Sequence, residues 1–272
     1  GKLALILRNW SMRQSALTIC PIERMAHYLS TRDIPAESLS VVHHWADRNE
    51  IVPVEPSQNP LRRGWGLGRK FVIGYSGNFG RAHEFKTVLD AAERLRHMKS
   101  IVFLMIGEGQ QRGFVESEVK RRGLTNVMMK PFQPVEKLSE SLGAANVHLV
   151  SLKPELEHCI VPSKFYGVLA AARPTIFIGD TEGEIGTIVR DFQCGMALRP
   201  GDVDALVNAI LHLRHSPVGR MSMGNNARYL METAYSREYG AAVWQSAISR
   251  LEEKVVPQAM PVLDRQFQPR EL

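Results

Sequence analysis

Ser163 and Lys164 stand between a short segment, residues 158–163, and an apolar run, 165–172, that Pro174 stops. Ser163 reads as the N-cap and Lys164 as the first turn of a buried helix. A helix start carries unpaired N–H groups and a partial positive charge. Placed at the carboxyl end of a parallel strand, with a hydroxyl and an ammonium beside it, such a start suits a diphosphate. An ordinary capped core helix with a solvent lysine fits this stretch alone equally well.

Four further loops share the theme. In residues 77–83, GNFGRAH, Gly77 and Gly80 let backbone approach a ligand on either side of Asn78, with Arg81 and His83 in reach of phosphate oxygens. The plain alternatives are a solvated arginine and a histidine that caps the next helix. Gly107-Glu108-Gly109 resembles the start of a dinucleotide fingerprint, but Arg112 stands where its third glycine belongs, so a tight strand-to-helix turn is the better reading. Lys130-Pro131-Phe132 offers backbone polar groups and a flat apolar wall to a nucleobase, or else an ordinary core phenylalanine. Residues 179–184, GDTEGE, offer carboxylates to sugar or ribose hydroxyls, although Glu184 also suits a helix start for structural reasons. No GxSxG, HExxH or P-loop signature occurs, and no His, Cys and carboxylate spacing points to a metal.

The pattern that must position these loops is a regular alternation. Strands are expected at 71–76, 101–106, 127–130, 146–151, 175–178 and 195–198. Helices are expected between them at 85–98, 110–122, 134–142, 163–172 and 184–191, then at 203–215 behind an Asp202 cap. That order predicts an α/β fold: a doubly wound, Rossmann-like, parallel six-stranded sheet with helices on both faces. Two more helices, 218–233 and 236–253, follow, and 254–272 reads as an extended tail. Upstream, residues 3–7 look like a strand, 15–29 like a strand end and a helix from Pro21, and 38–43 like a short strand. Residues 55–70 are rich in Pro and Gly and read as a linker between 1–54 and a domain over 71–235.

Composition narrows the class. The 272 residues carry a net charge of +6, which favours anionic ligands. The basic residues are spread out without interleaved aromatics, so a nucleic-acid platform is not expected. Three widely spaced cysteines without CxxC argue for a reducing compartment and against disulfides or structural zinc. No apolar run is long enough to span a bilayer and no secretory signal opens the chain, so a cytoplasmic protein is expected.

Taken in order, YSGNFGRAHEF, FLMIGEGQQR, VMMKPFQP, VPSKFYGVLAAARPTI, GDTEGEIG and GMALRPGDVDALVNAI resemble the donor-binding half of GT-B glycosyltransferases of family four. The PSK-x-Y-G-x-L-A-A block is similar to that of bacterial enzymes of capsule, colanic-acid-like and O-antigen assembly. The resemblance covers roughly residues 39–251. It implies a retaining transferase that takes a nucleotide-diphosphate sugar as donor substrate, needs no cofactor or metal, and acts on a saccharide or lipid-linked saccharide, with peripheral contact at the inner membrane face. It implies donor contacts from Gly77, Asn78, Gly80, Arg81, Lys130, Pro131, Phe132, Ser163, Lys164 and Glu184, with His83, Lys164 and Glu184 in catalytic places.

The match has departures. Most enzymes of the family carry an Arg and a Lys in the first loop, where Asn78 and His83 stand here, so Arg81, His83 and Lys164 are left to meet the phosphates. Most also carry two Glu residues where Cys159 and Gly167 stand. The resemblance makes 1–54 the end of a truncated N-terminal acceptor domain and 236–253 the helix that crosses back onto it. With that domain missing, apolar surface should be exposed. A nucleotide- or phosphate-binding module without catalysis remains the alternative. A sugar-nucleotide epimerase is a third reading, set back because such enzymes need both domains and acid/base residues not found here.

Overall fold

A computed structural model describes residues 2–255; apart from residues 254 and 255, the expected tail lies outside the described residues. The chain begins α1 (Lys2–Arg13), β1 (Thr18–Cys20), α2 (Glu23–Ser30), β2 (Leu39–Val41) and α3 (Pro60–Gly64). It continues β3 (Phe71–Ser76), α4 (Lys86–Arg94), β4 (Ile101–Ile106), α5 (Arg112–Arg122), β5 (Val127–Lys130), α6 (Leu138–Gly143) and β6 (Val147–Ser151). Then come α7 (Lys164–Ala170), β7 (Thr175–Ile178), α8 (Glu184–Asp191), β8 (Gly195–Leu198), α9 (Val203–His215), α10 (Pro217–Ala234) and α11 (Arg237–Val255).

The main sheet has the order β5-β4-β3-β6-β7-β8, and every pairing is parallel. Strands β3, β4, β5, β7 and β8 fall on the expected residues. β4, IVFLMI, is buried at all six positions, which a strand covered by helices on both faces requires. On one face Ile73, Phe103, Met105 and Ile176 pack under Leu89 of α4 and Leu206 and Ile210 of α9. On the other, Val150 and Phe177 meet Phe165 and Leu169 of α7, Val189 of α8 and Leu230 of α10. The order reverses between β3 and β6, and loops that diverge there open a crevice at the carboxyl ends.

Two expectations change. Residues 3–7 lie in helix α1 rather than a strand. Lys, Leu, Ala and Arg are strong helix formers, and no neighbouring strand competes for them. Leu3, Leu5, Ile6, Leu7 and Trp10 are all exposed there, so apolar surface is indeed uncovered. The segment 55–70 is also more ordered than its composition suggests. Asn59 caps α3 by accepting from Arg62 N at 3.0 Å, with Pro60 in the first turn. Arg62 is buried and donates to the carbonyls of Gly68, Ala144 and Lys70, which ties the segment to α6 and β3. Sequence periodicity cannot register one arginine satisfying three backbone carbonyls.

β1 and β2 form a separate two-stranded parallel sheet. α11 returns across it: Ala46 bridges Ser236, Ala46 N donates to Tyr235 O at 3.0 Å, and the Trp45 ring covers Gly240.

Candidate active site

At the reversal point lies a cleft of ≈ 780 Å³. Its floor is the end of β3 and the loop that follows, including Ser76, Gly77, Asn78 and His83. One wall is Ile160 to Lys164 and Gly167; Phe132 and Gln133 after β5 and residues from Trp45 to Ile51 also line it.

Lys164 is the chemical centre of this cleft. Its Nζ lies 2.6 Å from Tyr75 Oη and 3.1 Å from His83 Nε2. The far ends of these contacts fix the proton positions. Tyr75 donates its hydroxyl to Asn78 O at 2.6 Å, so its oxygen accepts from Lys164. His83 Nδ1 is 2.5 Å from Ser151 O, a group that only accepts, so Nδ1 carries the proton and Nε2 the lone pair. The ammonium thus donates to two neutral acceptors, keeps a third N–H, and has no carboxylate partner among the described residues. Burial lowers the Lys164 pKa to about 7. Burial, with the Lys164 charge beside it, pushes His83 down to about 4, and burial raises Tyr75. An ammonium without a counter-ion, largely desolvated and held by two acceptors, is a receptor for an anion.

Backbone close approach holds this arrangement. Gly77 has φ +144, and a Cβ there would sit 2.9 Å from Lys164 Cε. Gly107, at φ +140, passes so near that a Cβ would fall 2.0 Å from Gly77 O. Phe79 N donates to Glu108 O at 2.7 Å, and Gln111 Nε2 donates to Gly80 O at 2.6 Å and His83 O at 2.9 Å. The 107–111 turn therefore braces the 77–83 loop.

A family model described as "Glycosyl transferases group 1" matches residues 57–229 of this chain. The chain belongs to that family. Among relatives of this glycosyltransferase domain is WcaI of Escherichia coli K12, named for colanic acid biosynthesis, at 30% identity over 196 residues. That match covers 70% of this chain and 48% of WcaI. The chain spans about half the length of the curated relatives it matches. Among solved structures, sucrose-phosphate synthase from Thermosynechococcus elongatus superposes with a TM-score of 0.78 at 19% identity, covering 93% of this chain and 63% of that one. HepE of Anabaena, solved with UDP-glucose, gives 0.76 at 17%, covering 93% and 67%. The fold is that of the GT-B glycosyltransferases.

The group 1 domain uses the residues expected from sequence unevenly. Gly77, Asn78, His83, Phe132, Ser163 and Lys164 line the cleft. Ser163 does not cap α7: its backbone is helical (φ −53, ψ −22) and its hydroxyl makes no cap bond, so the local positive charge rests on Lys164. His83 caps nothing and, with its pKa near 4, brings no charge at neutral pH; it positions Lys164. The cap of α4 comes from Glu84, which accepts from Thr87 N. Arg81 is exposed and is not among the lining residues. Lys130 turns onto Trp65, 5.6 Å from its ring centroid, and Pro131 also lies outside the lining; Gly80 serves as an acceptor for Gln111.

Glu184 lies away from the cleft, at a seam with the β1–β2 unit. It accepts from Glu23 N at 3.1 Å and stands 3.3 Å from His43 Nδ1, whose pKa it raises. The helix-start reading gives its position; its Oε2 is taken by Glu23 N, while Oε1 has no hydrogen-bond partner among the described residues. Arg24 holds the same seam, through Glu157 at 2.9 Å, Asp180 at 2.8 Å and Glu182 O at 2.7 Å. Sequence reasoning passed over Tyr75 and residues 45–51. A tyrosine near the end of a buried strand was the available signal for the first; the second shows none in the sequence.

Proposed function

We propose that this chain is the donor-binding part of a glycosyltransferase that moves a sugar from a nucleotide-diphosphate sugar to a saccharide or lipid-linked saccharide, in bacterial surface-polysaccharide synthesis. The observation that carries the reading is the Lys164 ammonium, held by Tyr75 and His83 in the switch-point cleft with no carboxylate among the described residues to neutralise it. A diphosphate supplies the missing charge. In transfer the sugar C1–O bond to the diphosphate breaks, and its electron pair leaves on the nucleoside diphosphate. The acceptor hydroxyl oxygen forms the new bond to C1, and its proton passes to the departing diphosphate. Negative charge grows on the leaving oxygen, and a preplaced cation stabilises that growth more than it stabilises the bound donor.

The family likeness supports retention of configuration at C1. The UDP-glucose held by HepE supports a nucleotide sugar as donor substrate, with protein groups meeting the charge and no cofactor invoked. The naming of WcaI supports the polysaccharide setting. Among the described residues no helix is long and apolar enough to cross a membrane. The family likeness is what supports placing contact with a lipid-linked acceptor at the inner membrane face.

A thermal-shift panel of UDP, GDP, ADP and CMP, with inorganic pyrophosphate as control, tests this. A ligand at roughly 100 times its dissociation constant adds about 2.7 kcal/mol of stability. One nucleoside diphosphate should stand out, and Lys164→Ala should cost its binding about 1.5–3 kcal/mol. Unchanged affinity in that variant would remove the phosphate site. Nucleotide binding without sugar transfer would leave a binding module.

A further inference from the structure

Two carboxylates line the cleft, Asp47 and Glu50. Asp47 is occupied: one oxygen accepts from Asn49 N at 2.8 Å, and the other pairs with Arg237 at 3.3 Å. Glu50 has no hydrogen-bond or ionic partner for its side chain among the described residues. Its backbone is nevertheless fixed. Ser139 Oγ donates to Glu50 O at 3.1 Å and accepts from Val52 N at 3.0 Å. Ile51 is buried in the core with Phe165 and Leu142, and Arg228 donates to Ile51 O at 2.9 Å. Gly167 of α7 lines the cleft beside it, and a Cβ there would come 3.8 Å from Ile51 Cδ1. An anchored but unpaired carboxylate therefore shares a cleft with the unpaired ammonium of Lys164.

A second fixed anion in a phosphate site is a liability unless the ligand also carries donors for it. We propose that Glu50 is a specificity-determining residue that accepts hydrogen bonds from sugar hydroxyls of the nucleotide-sugar ligand. This rests on the donor-site reading above. Lys164 takes the anionic part of the ligand, Glu50 takes the polyol part, and the exposed Trp45, which lines the same cleft, offers an apolar face to a sugar ring. The polyol is either the ribose or the transferred sugar, which present the same hydroxyl chemistry. Ligands with phosphate but no hydroxyls are disfavoured by the same carboxylate, so one residue both selects and rejects.

The test is titration calorimetry on this chain and on its Glu50→Gln variant. The ligands are UDP, GDP and ADP, then UDP-glucose, GDP-mannose and ADP-glucose, and inorganic pyrophosphate. Glu50 is exposed, so the variant should keep its thermal midpoint. We expect the hydroxyl-bearing ligand that binds best to lose about ten-fold in affinity. Pyrophosphate should bind unchanged or more tightly, because it loses only a repulsion. Loss already seen with the nucleoside diphosphate assigns the ribose, and loss confined to the sugar conjugate assigns the transferred sugar; both support the proposal. Equal affinities of the two proteins for every hydroxyl-bearing ligand overturn it. A parallel loss for pyrophosphate also overturns it, since that marks a structural role. If the unaltered chain binds pyrophosphate as tightly as every nucleotide, the donor-site reading fails first and this proposal with it.

Discussion

The cleft and the seam treat charge in opposite ways. At the seam, Arg24 spans Glu157, Asp180 and Glu182 O, while Glu184 is shared between Glu23 N and His43. In the cleft, among the described residues, Lys164 meets only neutral acceptors and the Glu50 carboxylate meets no partner. Both regions sit at carboxyl ends of strands in the same sheet. A charge that is already paired contributes to holding parts together; one that is fixed but unpaired waits for a ligand. The difference teaches where chemistry can reside, independent of how many ionisable groups a region holds.

Removing Arg24 should break the seam without touching the cleft. Arg24→Ala leaves the buried Glu157 carboxyl without its partner and should cost about 1–3 kcal/mol of stability by urea unfolding, less than a fully buried pair because Arg24 is partly exposed. Nucleotide affinity should stay within two-fold, about 0.4 kcal/mol. A large affinity loss with unchanged stability would erase the distinction.

The pH dependence sharpens it further. Burial raises the Glu157 pKa from 4.5 to about 7. The native state then holds more protons than the unfolded state in that window, so stability relative to Glu157→Gln should fall as pH rises from 4.5 to 7. Burial lowers the Lys164 pKa from 10.5 to about 7. The unfolded state there holds more protons, so stability relative to Lys164→Met should rise from pH 7 to 10.5. Donor affinity, which needs the charged ammonium, should fall as pH rises above 7. Parallel slopes for the two variants would refute the contrast. Smallest of all should be Ser163→Ala, within about 0.5 kcal/mol in stability, since the hydroxyl caps nothing.

The alternation of apolar runs with glycine-punctuated loops made the sheet legible, because a parallel strand buried on both faces leaves a continuous run such as residues 101–106. Lys164 was legible for the same reason: its place after β6 follows from the topology. What stayed hidden depended on partners distant in the chain. The sequence places Glu184 at a helix start but not beside the backbone of Glu23 and the ring of His43. Glu50 carries no signal in the sequence; α6 and α10 pin its neighbours at the cleft. Arg62 reads as part of a linker until three carbonyls surround it. Pattern reports which face a residue takes, and pairing decides whether its charge is spent.

The chain crosses between the β1–β2 unit and the sheet domain twice, near residues 42–52 and 234–240, and the crossings touch at Ala46 and Ser236. A body hung from two adjacent pins keeps one easy rotation, about the line through them. Points on that line move least. Ala46 and Ser236 define that line, and Arg24 stands outside both crossings, on α2. The Arg24 ion pairs with Glu157 and Asp180 would then act as a latch on that rotation.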